Sequence, residues 1–284
     1  MTASGFARAK RERRQSANGS RLSTGVRRMA RPGNQGNRNR IENRYMRKVS
    51  KMKVLSGMVA AVMMMAASAV YGAEASLSLD VASAYVFRGV TFNDGLVLQP
   101  GLEVGGLGGL TVGVWGNLDL DDYGGTLEDG EFSELDIYGS YALPVSVLDL
   151  SIGYTEYTYP MGGGNADREV GLSAGKSAGP VDLAADVYYG LDGGIEKTLY
   201  VELSAGTALE LGELGVDLGA AVGYVSPDEG ESGFSHFTLS GGLSYGPVGA
   251  SVTYIGQIDD DVLPDGAGAY DVEVVGMLSA AVDF

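Results

Sequence analysis

One arginine stands out among the residues of this chain that could do chemistry, because basic side chains almost vanish around it. Arg88 lies in SAYVFRGVTFNDG, residues 83–95, near the end of a run in which polar and apolar residues alternate. Beyond residue 75 the chain has only three other basic residues but 33 acidic ones. A guanidinium among so many carboxylates can form charge-assisted pairs with one or two of them. We expect Arg88 to hold the first loop in this way; an ordinary charged strand end is the alternative.

Signals for catalysis or for a resident metal are weak. The chain has one histidine, His236, and no cysteine, so neither a thiol nucleophile nor a disulfide framework is available. A phospholipase would need a Ser–His pair facing lipid, whereas the alternation around His236 turns it inward, and one histidine supports a rim protease poorly. The run DLDDYGG, residues 119–125, resembles a calcium loop, but Tyr123 and Gly130 break the pattern. We predict no enzyme, cofactor or dedicated metal site; divalent binding by acidic loops stays open.

Charge divides the chain into two unlike parts. Residues 1–75 contain 16 basic and 3 acidic residues, whereas the remainder contains 4 basic and 33 acidic ones. Residues 1–45 are basic, rich in Gly and Asn, and nearly free of apolar side chains, so they cannot form a core. Such a tail could contact nucleic acid. Because it precedes an export signal, a mis-assigned start before Met46 or Met52 is the better interpretation, and we expect no nucleic acid partner.

A signal peptide is predicted over residues 46–75. A basic segment, MRKVSKMK, precedes a 17-residue apolar run over residues 54–70, and small residues follow. An A-x-A cleavage pattern ends at Ala75, so we predict cleavage there, with cleavage after Gly72 as the alternative. A membrane anchor fits the run less well, because a spanning helix needs roughly 20 apolar residues.

The exported remainder, residues 76–284, alternates polar and apolar residues in segment after segment. In YDVEVVGMLSAAVDF, residues 270–284, one parity is apolar and the other carries most of the polar residues. The split recurs in VDLAADVYYG, residues 181–190. Such alternation indicates strands with two different faces. A soluble sandwich would bury the apolar face, whereas a membrane barrel turns it toward lipid and encloses the polar face.

The connections between strands favour the barrel. Among about twelve predicted strands, the joints after even-numbered strands are brief, as in LPVS, and those after odd-numbered strands are long, as in SPDEGESGF. This sorting is typical of outer-membrane barrels, which have even strand numbers in bacteria. The eighth joint, TALELGEL, fits poorly, and Pro100 would remove a ladder hydrogen bond from the second strand. We predict an all-β fold, a single antiparallel transmembrane β-barrel over residues 76–284, in the outer membrane of a Gram-negative cell.

The parity of each strand then predicts which side chains face the lumen. With a first strand over residues 76–89, Arg88 faces the lumen at the long-loop rim, while Tyr85 and Phe87 join an aromatic girdle at the lipid interface. The side chains predicted to face the lumen are Asp80, Arg88, Glu103, Trp115, Asp136, Asp182, Asp186, Glu202 and Glu273. Because a narrow tube lined by one sign of charge concentrates the field, this lumen should favour cations.

A family resemblance appears at the same residues. The run SAYVFRGVTFNDG followed by LVLQPGLEV, together with GVWGNLDL (113–120) and ELDIYGSYALPVSVLDLSIGYTEYTYP (134–160), resembles the TorF-type porin family of Gram-negative outer-membrane proteins. The likeness covers the first half of the exported chain well and the second half only in style. The chain departs from the family at TFNDG, where a Ser-Gln pair is usual, and at Pro100, where Gly is common. The resemblance implies a pore and establishes no substrate.

These observations together predict a passive porin or small-solute channel. Its partners would be the lipid of the outer membrane and small polar or cationic solutes. The alternative is a non-conducting structural or scaffolding barrel, because a ring of about twelve strands is only moderately wider than the rings that side chains fill. The oligomeric state is open.

Overall fold

The structure is a computed structural model that describes residues 73–121, 130–160, 165–266 and 268–284. Within these residues the only helical element is a 3₁₀ turn at Gly193–Ile195. No helix in the described ranges is long and apolar enough to cross a membrane. The expected N-terminal extension and nearly all of the expected signal peptide, with most of the DLDDYGG run, lie outside the described residues.

Twelve antiparallel strands close into one barrel. The strands in chain order, including a small inner pair, are β1 (Glu74–Ala82), β2 (Tyr85–Phe87), β3 (Val90–Asn93), β4 (Val97–Leu107), β5 (Leu110–Asp119), β6 (Glu131–Leu143), β7 (Asp149–Thr158), β8 (Asp167–Ala178), β9 (Val181–Asp192), β10 (Leu199–Leu211), β11 (Leu214–Ser226), β12 (Gly233–Tyr245), β13 (Val248–Gln257) and β14 (Val274–Asp283). β2 and β3 form a separate two-stranded sheet, and β1 pairs with both β4 and β14 to complete the ring. The prediction of a twelve-stranded barrel is confirmed.

The outer surface of the barrel is apolar. Leu77 and Leu79 on β1 are 43% and 45% exposed, and Val252 on β13 and Leu278 on β14 are 55% and 64% exposed. The alternate residues of the same strands point to the interior, since successive side chains of a strand lie on opposite faces. A closed ring with an apolar outer face is the architecture of transmembrane barrels, because all backbone groups are paired between strands.

Short turns and longer loops occupy opposite ends of the barrel, as predicted. The connections at one end have two to five residues, and those at the other end have six or more. The joint TALELGEL is no exception, because β10 and β11 continue through it until Leu211 pairs with Leu214. Gly212 takes a φ of 73° in the two-residue turn that remains. Such turns need positive φ, which glycine adopts at little cost.

Pro100 is accommodated within β4. It pairs with Leu79 of β1, whereas Gln99 and Pro100 have no paired residue in the register between β4 and β5. Close to this gap the Gln99 side chain donates a hydrogen bond of 3.0 Å to Asn117 Oδ1. A side-chain contact therefore bridges the two strands where proline interrupts the ladder.

The first strand is shorter than the sequence suggested. β1 ends at Ala82, and residues 85–93 turn into the lumen as an inner hairpin made of β2 and β3. The physical reason is the turn between them, where Arg88 and Gly89 have φ angles of 53° and 82°. These left-handed conformations cannot continue a strand. The prediction of one strand over residues 76–89 was therefore wrong.

Two consequences of this hairpin correct the expected facing of nearby residues. Tyr85 is only 7% exposed, and Phe87 lies inside the barrel beneath the Arg88 guanidinium, so neither belongs to an aromatic girdle. The alternation assigns six further tyrosines to the girdle. Of these, Tyr224 is half-buried, and the five exposed on the outer surface are Tyr141, Tyr154, Tyr189, Tyr245 and Tyr254.

Candidate functional site

The inner hairpin places Arg88 inside the barrel. The turn is tight against the wall, because a Cβ atom built on Gly89 would lie 2.7 Å from the Cγ of His236. Together with its positive φ, this close approach means that only glycine fits the position. The hairpin tip therefore depends on a residue of β12 that is remote in sequence.

Arg88 is clamped by one carboxylate and three aromatic rings. Its Nη1 and Nη2 donate hydrogen bonds of 2.9 Å to Glu169 Oε2 and Oε1 respectively. The Cζ atom lies 4.4 Å from the ring centroids of Tyr188 and Tyr200 and 4.7 Å from that of Phe87. A planar guanidinium suits both the bidentate pairing and the stacking, which lysine could not reproduce. The expected pairing of Arg88 with a carboxylate is thus present, with Glu169 as the partner.

The charge on Arg88 is secured by this partner. Burial lowers the pKa of the guanidinium, but the hydrogen bonds and the attraction of Glu169 outweigh burial, so the pKa lies above its ordinary value. Glu169 also accepts a hydrogen bond of 2.7 Å from the Tyr157 hydroxyl. The side chains of Arg88 and Glu169 are only 17% and 3% exposed, so water screens the pair weakly.

Other residues of the hairpin bind the wall on both sides of its tip. The Tyr85 hydroxyl donates to Glu134 Oε2 at 3.0 Å, and its ring stacks on Phe92 with centroids 5.2 Å apart. The fully buried Asn93 donates to Asp119 Oδ1 at 2.8 Å. The hairpin is therefore fixed by a polar network, which is how polar side chains can be buried without large cost.

Carboxyl groups are concentrated on the wall that faces the hairpin. Glu134 and Asp136 lie two residues apart on β6, so both point inward, and they are 3% and 8% exposed. Asp119 and Glu169 are 1% and 2% exposed. Asp136 Oδ1 is buried and has no hydrogen-bond partner among the described residues. The site thus contains an excess of buried acidic groups over basic ones.

Two cavities occupy the lumen. The hairpin cavity has a volume of about 520 Å³ and is lined by residues that include Arg88, Trp115, Asp136, Tyr157, Glu202 and His236. The turn-side cavity has a volume of about 430 Å³ and is lined by residues that include Asp149, Lys176, Ser177, Asp182, Ser204 and Ser240. Thr238 lines both cavities, so they adjoin. Both have the polar lining expected of a barrel interior.

The side chains predicted to face the lumen have the following positions. Four of them, Arg88, Trp115, Asp136 and Glu202, line the hairpin cavity, and Asp182 lines the turn-side cavity. Asp186 lies opposite Glu202 on the neighbouring strand, and Asp80 lies opposite Gln99. Glu202 and Gln99 both line the hairpin cavity. Glu103 accepts a hydrogen bond of 3.1 Å from the Tyr138 hydroxyl.

Glu273 differs from this group. It was expected on the last strand, but β14 begins at Val274, so Glu273 precedes the strand and is exposed. Its carbonyl accepts a hydrogen bond of 2.7 Å from the Ile255 amide. The last strand starts later than expected because residues near Tyr270 form backbone hydrogen bonds within their own loop.

Ser235 and His236 form a buried contact inside the barrel. The register between β11 and β12 shifts at this point, and the unpaired Ser235 is buried beside His236, at 3% and 2% exposure. Ser235 Oγ and His236 Nδ1 are 2.9 Å apart. The His236 ring stacks on Tyr200 with centroids 6.4 Å apart and lines the hairpin cavity. The pair therefore supports the hairpin from within and does not face lipid.

Sequence reasoning did not identify the inner hairpin, nor Glu169 and Glu134 as its anchors. A signal was present in Gly89 and in NDG at residues 93–95. An isolated Gly inside an alternating run suggests a bulge or a close backbone approach, and Asp-Gly marks a turn. The partners could not be read from the chain, because the pairing depends on where the strands stand around the ring.

Comparison with solved structures gives remote likenesses. The NanC porin is 8% identical, with 72% of this chain and 98% of that chain covered and a TM-score of 0.45. LpxR from Salmonella typhimurium is 12% identical, with 72% and 99% covered and a TM-score of 0.42. OmpF of Salmonella typhi, in complex with daunomycin, is 10% identical, with 75% and 97% covered and a TM-score of 0.34. The fold rests on the strand pairing itself, to which these likenesses add nothing.

Comparison of sequences gives a family. No curated protein matches the chain. The family model described as "Bacterial protein of unknown function (Gcw_chp)" matches residues 66–275, which is well over half of the 284 residues. The match contains the inner hairpin, Glu134, Asp136 and Glu169, and thus the whole polar network of the hairpin cavity. The chain therefore belongs to the Gcw_chp family of bacterial proteins.

Proposed function

We propose that this protein is a cation-favouring channel of the outer membrane for small polar solutes, with a lumen narrowed by the inner hairpin. The observation that carries the proposal is the polar interior of a closed barrel, in which two adjoining cavities are lined by carboxylates. An apolar outer face allows this ring to lie in a bilayer. The export signal predicted before residue 76 and the resemblance to TorF-type porins also support the proposal.

The balance of charge in the lumen supports the preference for cations. Arg88 is the basic side chain of the hairpin cavity, and Glu169 neutralises it. Asp136 and Glu202 remain in that cavity, and Asp182 and Lys176 line the next one. Fixed carboxylates in a narrow, weakly screened tube raise the local concentration of cations and exclude anions.

The hairpin limits what could pass. Its tip and the rings around Arg88 lie within the half of the lumen nearest the longer loops, so a solute must move beside them or displace them. A cavity of about 520 Å³ accommodates a small molecule and not a folded peptide. We propose small polar or cationic solutes as the substrates and assign no catalytic role to the Ser235–His236 pair.

A non-conducting barrel is the second candidate. The observation that favours it is the same hairpin, because a fully ordered polar network could close the lumen and leave the barrel as a structural protein. The two candidates differ in one measurable property, the conductance of the folded protein.

Planar-bilayer recording tests the proposal. Folded wild-type protein, identified by its heat-modifiable mobility on gels, should give discrete conductance steps. Replacement of Arg88 by Met should raise the conductance, because it releases the hairpin from Glu169. Silence of both the folded wild type and the folded Arg88→Met variant would contradict the channel and favour the structural barrel.

A further inference from the structure

The buried pair of carboxyl groups on β6 has no basic partner. Glu134 and Asp136 lie two residues apart on β6, so their carboxyl groups are neighbours on the inner face of the strand. In the described part of the chain, Arg88 pairs with Glu169, Arg168 with Glu156 and Asp192, and Lys197 with Asp228. The remaining basic residue, Lys176, lines the turn-side cavity and not the hairpin cavity. Two neighbouring buried carboxylates repel each other and are desolvated, so both can carry their charge only beside a positive species.

One oxygen of this pair is buried without a hydrogen-bond partner. Asp136 is 8% exposed and lines the hairpin cavity, and its Oδ1 is buried without a hydrogen-bond partner. The second carboxylate is oriented by a donor, because the Tyr85 hydroxyl binds Glu134 Oε2 at 3.0 Å. The pair thus combines a fixed carboxylate with an unsatisfied oxygen beside a cavity that has room for water.

We propose that Glu134 and Asp136 form a binding site for a hard divalent cation with the chemistry of Ca²⁺. The two carboxylates supply two negative charges and oxygen ligands only, which hard cations prefer, and water in the hairpin cavity completes the coordination. The bound cation satisfies Asp136 Oδ1 and removes the repulsion within the pair. The site lies in the barrel wall, apart from the acidic loops, and does not depend on whether the lumen conducts.

The site would also stabilise the inner hairpin. Glu134 anchors Tyr85 at the start of the hairpin, while Glu169 anchors Arg88 at its tip. A cation that fixes Glu134 and Asp136 therefore also fixes Tyr85, which binds Glu134. Because a ligand that binds only the folded arrangement stabilises it by mass action, the divalent cation would hold the hairpin in place.

The single tryptophan of the chain provides a direct probe. Trp115 lies opposite Asp136 in the pairing of β5 with β6 and lines the same cavity. Side chains in such cross-strand pairs have Cβ atoms about 5 Å apart. Tb³⁺, which substitutes for Ca²⁺, would therefore be excited efficiently by energy transfer from Trp115. The experiment uses the folded protein in detergent at neutral pH and needs no conductance.

The expected result is sensitised Tb³⁺ luminescence in the wild type that Ca²⁺ displaces. Each β6 variant is first shown to be folded by its heat-modifiable mobility. Asp136→Asn and Glu134→Gln should each weaken the binding of Tb³⁺ and Ca²⁺ at least tenfold. Asp217→Asn, which removes an exposed carboxylate of β11, is the matched control and should bind as the wild type does. Trp115→Phe should lose the luminescence but keep the heat of Ca²⁺ binding in calorimetry.

Two results would overturn the proposal. One is folded wild-type protein without sensitised luminescence or heat of Ca²⁺ binding, which would mean that the two carboxyl groups share a proton. The other is equal affinity in the wild type and in both β6 variants, which would place any bound cation elsewhere.

Discussion

Arg88 and Glu169 lie 81 positions apart in sequence and are joined inside the barrel by two hydrogen bonds of 2.9 Å. Glu169 belongs to β8, which stands five strands from β1 around the ring. The pair therefore ties the first long connection to a distant part of the wall. The surrounding rings of Phe87, Tyr188 and Tyr200 exclude water from the guanidinium and strengthen the attachment.

Loss of Arg88 should destabilise the protein. Arg88→Met removes one partner of a buried ion pair and leaves Glu169 uncompensated, so the free energy of unfolding should fall by about 3 kcal/mol. Reversible urea unfolding from lipid vesicles measures the change. Arg88→Lys should recover only part of the loss, since lysine keeps the charge but not the paired hydrogen bonds or the stacking.

A second variant separates the ion pair from a general effect of the substitution. Arg88→Met combined with Glu169→Leu removes the stranded carboxylate and should be more stable than Arg88→Met alone, because a buried ion pair can be replaced by apolar residues at little cost. Equal stability of the double and single variants would show that Glu169 is not the partner that matters.

A glycine beneath Tyr188 should also control the hairpin. A Cβ atom built on Gly171 would lie 2.9 Å from the Tyr188 ring, so Gly171→Ala must displace the tyrosine from Arg88. Such overpacking costs about 1 to 3 kcal/mol, which urea unfolding would detect. Gly276→Ala is the matched control in β14, because nothing lies within 4 Å of its Cβ position, and it should be neutral. Similar losses in both variants would argue against the role of Tyr188.

The barrel could be predicted from the sequence because its signals are periodic. Alternation fixes the faces of each strand, and the sorted loop lengths select a ring over a sandwich. The eighth joint misled because residues 207–214 were read as one long loop at the end of the barrel where the other joints are brief. In the structure this segment is mostly strand, because pairing between neighbouring strands overrides weak local preference.

The site could be predicted only in part. Its acidic character and the role of Arg88 as a binder of carboxylates follow from composition. The inner hairpin did not follow, because Tyr85 and Phe87 continue the alternation of β1, and the turn signals at Gly89 and in residues 93–95 do not say into which side of the barrel the chain turns. The turn at Gly89 is decided by His236, 147 positions away, and a contact of that kind depends on the closed ring.

The facing of the strands predicts unequal costs for arginine on the two surfaces. Arg at Val252 or Leu278, both exposed on the outer surface, should lower the free energy of unfolding by about 2 to 4 kcal/mol near the centre of the bilayer. Arg at Ser251 or Ser279, on the opposite faces of the same strands, should cost much less, since water reaches the lumen. Unfolding in lipid vesicles measures all four variants. Equal costs on both faces would contradict the assignment of the lumen.

Ion selectivity provides the last prediction. Asp182 lines the turn-side cavity and Asp186 lies beside Glu202, so their carboxylates would lie along the ion path of the proposed channel. Their field attracts cations in a narrow tube, and dissolved salt screens it over a Debye length of about 10 Å at 0.1 M. A salt gradient across a planar bilayer should therefore give a reversal potential of cation-selective sign that weakens as the salt concentration rises.

Neutralisation of these two carboxylates tests the origin of that selectivity. Asp182→Asn with Asp186→Asn should move the reversal potential toward zero without preventing conductance, because amides keep the size and polarity of the side chains but remove two negative charges. Glu156→Gln on the outer rim is the control, since its charge pairs with Arg168 away from the lumen, and it should leave the reversal potential unchanged. An anion-selective wild type would contradict the proposed charge of the lumen. A double variant with unchanged selectivity would instead place the selective charge in the hairpin cavity, which Glu202 lines.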